Sequence, residues 1–171
     1  ADDEQLVKIE LLMKQAEITT DERPVISAAK IKAAATGEPA TAIELPDGRI
    51  ITGKTSELLG ASSAMLLNAL KTLAGIDDEV QLISPTIIEP IQNLKVRHLR
   101  NKNPRLHTDE LLIALSICAA TDDKARRAME QLQNLANSEV HSSVILSQVD
   151  KNVFRKLGVN LTCEPDYQTQ K

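Results

Sequence analysis

Apolar positions recur at three- and four-residue spacing in the first part of the chain, then alternate in short bursts between longer helical runs. Residues 4–16 set Leu6, Ile9, Leu12, Met13 and Ala16 on one stripe, and Asp2 and Asp3 suit the positive end of that helix. A second helix is expected from Asp21, with Pro24 tolerated in its first turn, to Gly37. Its alanines (Ala28, Ala29, Ala33, Ala34, Ala35) allow close packing on a neighbour. Gly37-Glu38-Pro39 reads as a linker, which sets off residues 1–38 as a helical arm from a domain over 39–171.

From residue 41 the period changes. Thr41–Leu45 and Arg49–Thr52 read as strands around Asp47-Gly48, a turn pair in which glycine accepts positive φ without a Cβ clash. Thr55 or Ser56 is expected to cap a helix that Gly75 ends. Val80–Ile83 reads as a short strand, and Ser84-Pro85 as the cap and first residue of a helix to about Leu99, kinked by Pro90. Thr108 is expected to cap a helix to Ala120 that is apolar all round and therefore covered on most sides. Thr121 then caps another helix to about Ala136, whose inner stripe is Ala125, Ala128, Met129, Leu132 and Leu135. A strand over 140–146, a short helix over Asp150–Leu157 closed by Gly158, and a strand over 159–163 complete the chain. Strands alternating with helices predict an α/β fold: a three-layer α/β/α sandwich with a mixed sheet, one antiparallel pair coming from the hairpin.

Composition narrows the classes of function. A chain of 171 residues can bury roughly 70% of its unfolded surface, but its core must be aliphatic: there is no Trp, one Phe and one Tyr. That scarcity, with a net charge of −4, speaks against base-stacking or phosphate-backbone binding, so no nucleic-acid partner is expected. No apolar run approaches the ~20 residues of a membrane span, and no signal peptide is evident. Cys118 and Cys163 lie far apart, and His98, His107 and His141 have no metal-ligand spacing, so no metal is expected and a reducing, cytoplasmic setting fits. A start at Ala1 without Met is expected of a processed or truncated piece of something longer.

Gly48-x4-Gly53-Lys54-Thr55 formally matches a phosphate loop. Gly48 is already used in the hairpin turn, however, and Arg49-Ile50-Ile51-Thr52 is a β-branched strand that cannot curl around a phosphate. A narrower expectation survives: Lys54, Thr55 and Ser56, at the corner before a helix, form an anion site. From Lys95 to Arg105 there are five basic residues and no acid, so Arg100, Lys102, Arg105 and His107 are further anion-binding candidates. The small-residue run Gly60-Ala61-Ser62-Ser63-Ala64 reads as tight helix–sheet packing, with close approach of a ligand as the alternative. His107 reads as structural or part of the basic loop, and His141 as a surface or sheet-edge histidine. Neither has the sequence context of a catalytic triad.

The order of elements resembles the cytidine-deaminase type of sandwich. There Gly60-Ala61-Ser62 and Pro85-Thr86-Ile87-Ile88-Glu89 fall where the zinc and catalytic motifs of that fold sit, and the ligands and the catalytic glutamate are absent. A closer resemblance lies in the stretches I-E-L-L-M-K-Q-A (9–16), A-I-E-L-P-D-G (42–48), T-G-K-T-S (52–56), L-L-G-A-S-S-A (58–64), L-A-G-I-D-D (73–78), N-K-N-P-R-L-H-T-D-E (101–110), H-S-S-V-I-L-S-Q-V-D (141–150) and F-R-K-L-G-V-N-L-T-C-E-P (154–165). These resemble the C-terminal part of the bacterial family called domain of unknown function 1846. The resemblance implies a C-terminal portion of a cytosolic protein several times longer, with a glycine-rich, lysine-containing stretch of phosphate-binding type upstream. It carries over no catalytic residue and no cofactor.

Three functional readings follow from the sequence. The first is a domain that binds an anionic ligand, phosphate or carboxylate, or packs against an upstream nucleotide-binding-like domain. The second is an assembly domain of a homo-oligomer, using the arm 1–38 and the helix 108–120. The third is a metal-free hydrolase or transferase of deaminase-like fold.

Overall fold

The computed structural model describes Leu11 and residues 23–164. The helix predicted over 4–16, Leu11 apart, and the predicted helix start at Asp21 lie outside the described residues. The first described helix, α1 (Pro24–Thr36), carries Pro24 in its first turn, where a missing N–H leaves no bond unmade. Gly37 ends it at φ 71°, its N–H on the Ala33 carbonyl. The hairpin strands are β1 (Ala40–Glu44) and β2 (Ile50–Lys54). Gly48 supplies the positive φ of 91° between them, and Asp47 accepts the Arg49 N–H at 3.0 Å.

After β2 come α2 (Ala61–Ala74), α3 (Pro85–Asn93) with a π turn over Leu94–His98, and α4 (Thr108–Ala119). Then follow α5 (Asp123–Glu130) with a 3₁₀ turn, β3 (Glu139–Ser142), α6 (Gln148–Leu157) and β4 (Asn160–Cys163). The strand order is β2-β1-β3-β4, with β1 antiparallel to both neighbours and β3 parallel to β4.

Alternation along β1 builds the layers, because successive side chains leave opposite faces of the sheet. Ala42 meets Val25 and Ala29 of α1 on one face. Ile43 joins Met65, Leu66 and Leu70 of α2, Leu111 and Leu115 of α4, and Phe154 of α6 in the main core on the other. The result is the expected three-layer α/β/α sandwich with a mixed sheet.

The seam between β2 and α2 is its tightest contact. A Cβ on Gly53 would lie 2.1 Å from the Met65 backbone nitrogen and 2.7 Å from the Ala64 carbonyl carbon. Ser62 Oγ meets Thr41 Oγ1 at 3.1 Å in the same buried zone. The small-residue run is therefore tight helix–sheet packing, as its composition predicted.

Several boundaries differ from expectation, each for a local reason. The helix after the hairpin starts at Ala61, with Gly60 as its cap, and not at Thr55 or Ser56. Gly53 and Lys54 are still paired to Thr41 and Ala40 in the ladder. Ser56 Oγ instead accepts the N–H groups of Leu58 and Leu59, closing a turn of its own. Val80–Ile83 forms no strand: Leu82 and Ile83 are buried side by side, so the segment does not alternate. The strand predicted over 140–146 ends at Ser142, and Asp122 rather than Thr121 caps the helix after α4, receiving the Lys124 N–H. Pro90 lies inside α3, and one turn later the ladder widens into the π turn. Finally, α4 is not covered on most sides: Ile113 and Ile117 are 58% and 54% exposed.

Candidate functional site

The segment 55–60 and the segment 101–107 run beside each other. A parallel bridge joins Leu59 to Leu106, and the Leu106 N–H bonds to the Leu58 carbonyl at 3.0 Å. The Leu106 carbonyl accepts the Gly60 N–H at 3.2 Å and the Ser63 hydroxyl at 2.9 Å. This backbone pairing brings the two predicted anion elements together. Arg105 Nε donates to the Ser56 carbonyl at 2.6 Å, and Gln92 Nε2 holds the Glu57 carbonyl at 3.1 Å.

The predicted residues divide into two groups. Lys54 stands exposed at the end of β2, Arg100 and Lys102 are exposed in the loop, and Arg105 is half-buried over Ser56. Thr55 is turned into the fold by its N–H bond to Pro39 (3.0 Å), and Ser56 is occupied by its own turn. Among the described residues, no carboxylate pairs with Lys54, Arg97, Arg100, Lys102 or Arg105. Arg100 takes φ 60°, unusual for a side chain with a Cβ, as the chain turns so that the Asn101 N–H reaches the Lys95 carbonyl at 2.7 Å.

Lys95 and His107 behave differently. Lys95, only 3% exposed, donates to Glu110 Oε1 at 2.8 Å and to the Arg105 carbonyl, and lies 3.4 Å from His107 Nδ1. Glu110 also accepts the His107 N–H at 2.8 Å, and His107, not Thr108, is the cap residue of α4. Burial opposes ionisation of Glu110, but the Lys95 ammonium and the His107 N–H outweigh it and hold the carboxyl below its ordinary value. One cation of the basic run is thus an internal strut that fixes the others. Glu110 three residues after the cap was the available sequence signal for it, weakened because His107 is not one of the usual cap residues. In the same turn Thr108 is held by Asp150 of α6, which accepts its N–H at 2.9 Å and its hydroxyl at 2.6 Å.

His141 is a correction. It is 3% exposed on the interior strand β3, with Nδ1 2.7 Å from Thr162 Oγ1 and Nε2 3.2 Å from Glu164 Oε1. Burial lowers its pKa, against the pull of Glu164. Arg23 bonds Thr162 at 2.6 Å and Lys30 meets Glu164 at 3.3 Å, so this network also ties α1 to the sheet. The sequence signal was the alternation of β4, which puts Thr162 and Glu164 on one side.

In chemical terms the loop pair offers several cationic side chains over a rigid backbone. Among the described residues, no group of three or more His, Cys, Asp or Glu is placed to hold a metal. Ser62 and Ser63 are buried and engaged by Thr41 and by the Leu106 carbonyl. Among the described residues, no helix is long and apolar enough to cross a membrane.

Fold and site together describe an α/β/α domain bearing a basic loop pair. The chain belongs to the family described as Domain of unknown function DUF1846, C-terminal, whose model matches residues 21–171. It is 56% identical over 164 residues to a UPF0371 protein of Streptococcus thermophilus, a match covering 96% of this chain and 33% of that protein. It is also 56% identical to UPF0371 proteins of Corynebacterium urealyticum over 166 residues and of Streptococcus pyogenes serotype M5 over 164, covering 97% and 96% of the chain and 33% of each relative. The chain therefore spans about a third of the length of these bacterial relatives.

Proposed function

We propose that this is the C-terminal domain of a longer cytoplasmic protein and that its loop pair binds an anionic group, phosphate or carboxylate, presented by a small ligand or by the upstream part of the same protein. The observation that carries the reading is the Arg105–Ser56 clamp. It sets the Lys54 corner beside a π turn and loop whose cations Arg97, Arg100 and Lys102 have no carboxylate partner among the described residues, in a chain whose net charge is −4. The buried Lys95–Glu110 pair supports it, because it holds that loop in place without consuming the outer charges. The described part of the proposed arm 1–38 is anchored on the sheet by Val25 and Ala29.

The helix dipole invoked from sequence plays no part at Lys54–Ser56, since α2 begins at Ala61. The anion is held by side chains. The metal-free hydrolase reading has less support, as Ser62 and Ser63 are buried and hydrogen-bonded within the fold.

The test is thermal unfolding of the chain with inorganic phosphate, ATP and citrate. At about ten times Kd, binding adds about 1.4 kcal/mol, a rise of roughly 3–5 °C for a chain of this size. Lys54→Ala, Lys102→Ala and Arg105→Ala should each shrink the rise. A rise that none of the three alters, or none with any of these anions, sinks the site.

A further inference from the structure

The exposed isoleucines of α4 belong to a larger feature. Thr86 and Ile87 at the start of α3 line one groove, of about 330 Å³, with Ile117 and Cys118 at the end of α4. At the other end, Lys95 of the π turn bonds Glu110 in the first turn of α4. Hence α3 with its π turn runs antiparallel to α4. Ile87, Ile91 and Leu94 recur at helical spacing on the first and Ile113 and Ile117 on the second, a stripe joined across the two helices where Ile87 and Ile117 line the groove. Leu94 is 50% exposed, like Ile113 and Ile117, whereas Ile87 and Ile91 are half-buried. The exposed Arg97, Arg100 and Lys102 follow the stripe at its π-turn end.

Large aliphatic side chains grouped on two neighbouring helices mark a surface made to be covered. The relatives supply the occupant: the matched domain is the C-terminal one, and about two-thirds of each relative lies outside the match. We infer that this stripe is the face on which the domain docks against the preceding part of its own polypeptide, onto an apolar surface with an acidic rim. The inference rests on the reading of the chain as a C-terminal domain. A tethered neighbour needs no high affinity, because the linker keeps it at millimolar effective concentration. Such contacts within a chain commonly bury about 600–1,500 Å².

Cys118 is a native probe of the groove, and Cys163 on β4 serves as the control. Intact-mass measurement of the protein from its cell, followed by thiol alkylation of that protein and of the 171-residue chain, separates the possibilities. The expected result is a longer polypeptide in which Cys118 reacts at least tenfold more slowly than in the shorter chain, Cys163 being unchanged. Ile113→Asp with Ile117→Asp should restore fast labelling in the longer protein and leave the melting temperature of the shorter chain unaltered. A natural polypeptide of this chain's own mass overturns the C-terminal-domain reading and the docking face together. A longer one with unprotected Cys118 overturns the docking face alone. Protection in the shorter chain that grows with its concentration makes the occupant a second copy, and overturns the inference too.

Discussion

The seam between β2 and α2 and the loop pair beside it share the stretch Gly53–Ser56, yet they are governed by different physics. At Gly53 there is no room: backbone meets backbone, and the residue is chosen for the absence of a side chain. Three residues on, at Ser56, the chain is held by a turn and by the Arg105 guanidinium, and the neighbouring cations face outward. Two fragments that sit side by side in a phosphate-loop pattern thus serve packing and charge display separately. A glycine before a lysine is informative only once its backbone neighbours are known.

The sharpest way to break this contrast is Gly53→Ala. The added methyl meets Met65 backbone, which cannot rotate away, so the substitution should cost about 4 kcal/mol by urea unfolding, among the largest single-residue effects. A cost below about 1 kcal/mol would mean that β2 and α2 part easily, and the seam would be no different from the loops.

Next in size is the strut under the basic loop. Lys95→Met leaves Glu110 half-buried without its ammonium and should cost about 3 kcal/mol. The double variant Lys95→Met/Glu110→Leu should recover much of that loss. If the single variant is neutral, the loop is held by its backbone bridge alone.

The smallest effect concerns the opposite face of the sheet. Folding lowers the His141 pKa from its ordinary 6.5, mainly through burial, so the native state prefers the neutral ring. Stability from this source is complete above pH 6.5 and is lost as pH falls through the folded value. The melting temperature of the native chain should therefore decline below pH 6.5, and His141→Gln should flatten that decline. Glu110 titrates in a separate, lower window: its carboxyl is held below 4.5, so its stabilisation is present above 4.5 and lost as the pH drops further. Equal slopes for the His141 variant and the native chain between pH 6.5 and about 5 would show that the ring is not sequestered.

Much of the fold was legible from local rules. Asp47-Gly48 turned where the φ of glycine allowed it, and Gly37, Gly75 and Gly158 ended helices in the left-handed region. Ser84 capped α3, and alternation gave β1 and β4. Val80–Ile83 misled because three apolar residues around Gln81 look alike as strand or as buried loop. The run 111–119 of α4, apolar but for Ser116, could not say which face lies open. The candidate site was legible by composition only: a run of bases could be counted, but not that Lys95 faces inward and the others outward.

By itself the sequence determined most of the element types, the turns, the aliphatic core and membership of the DUF1846 C-terminal family, since these depend on spacing, backbone preference and shared words. Only the tertiary structure decided that Gly53 serves a backbone contact, that Arg105 reaches across the chain to Ser56, and that His141 is buried beneath Thr162 and Glu164. Each of these is a contact between residues far apart in sequence, and whether a charge is spent inside or left free depends on which partner arrives beside it.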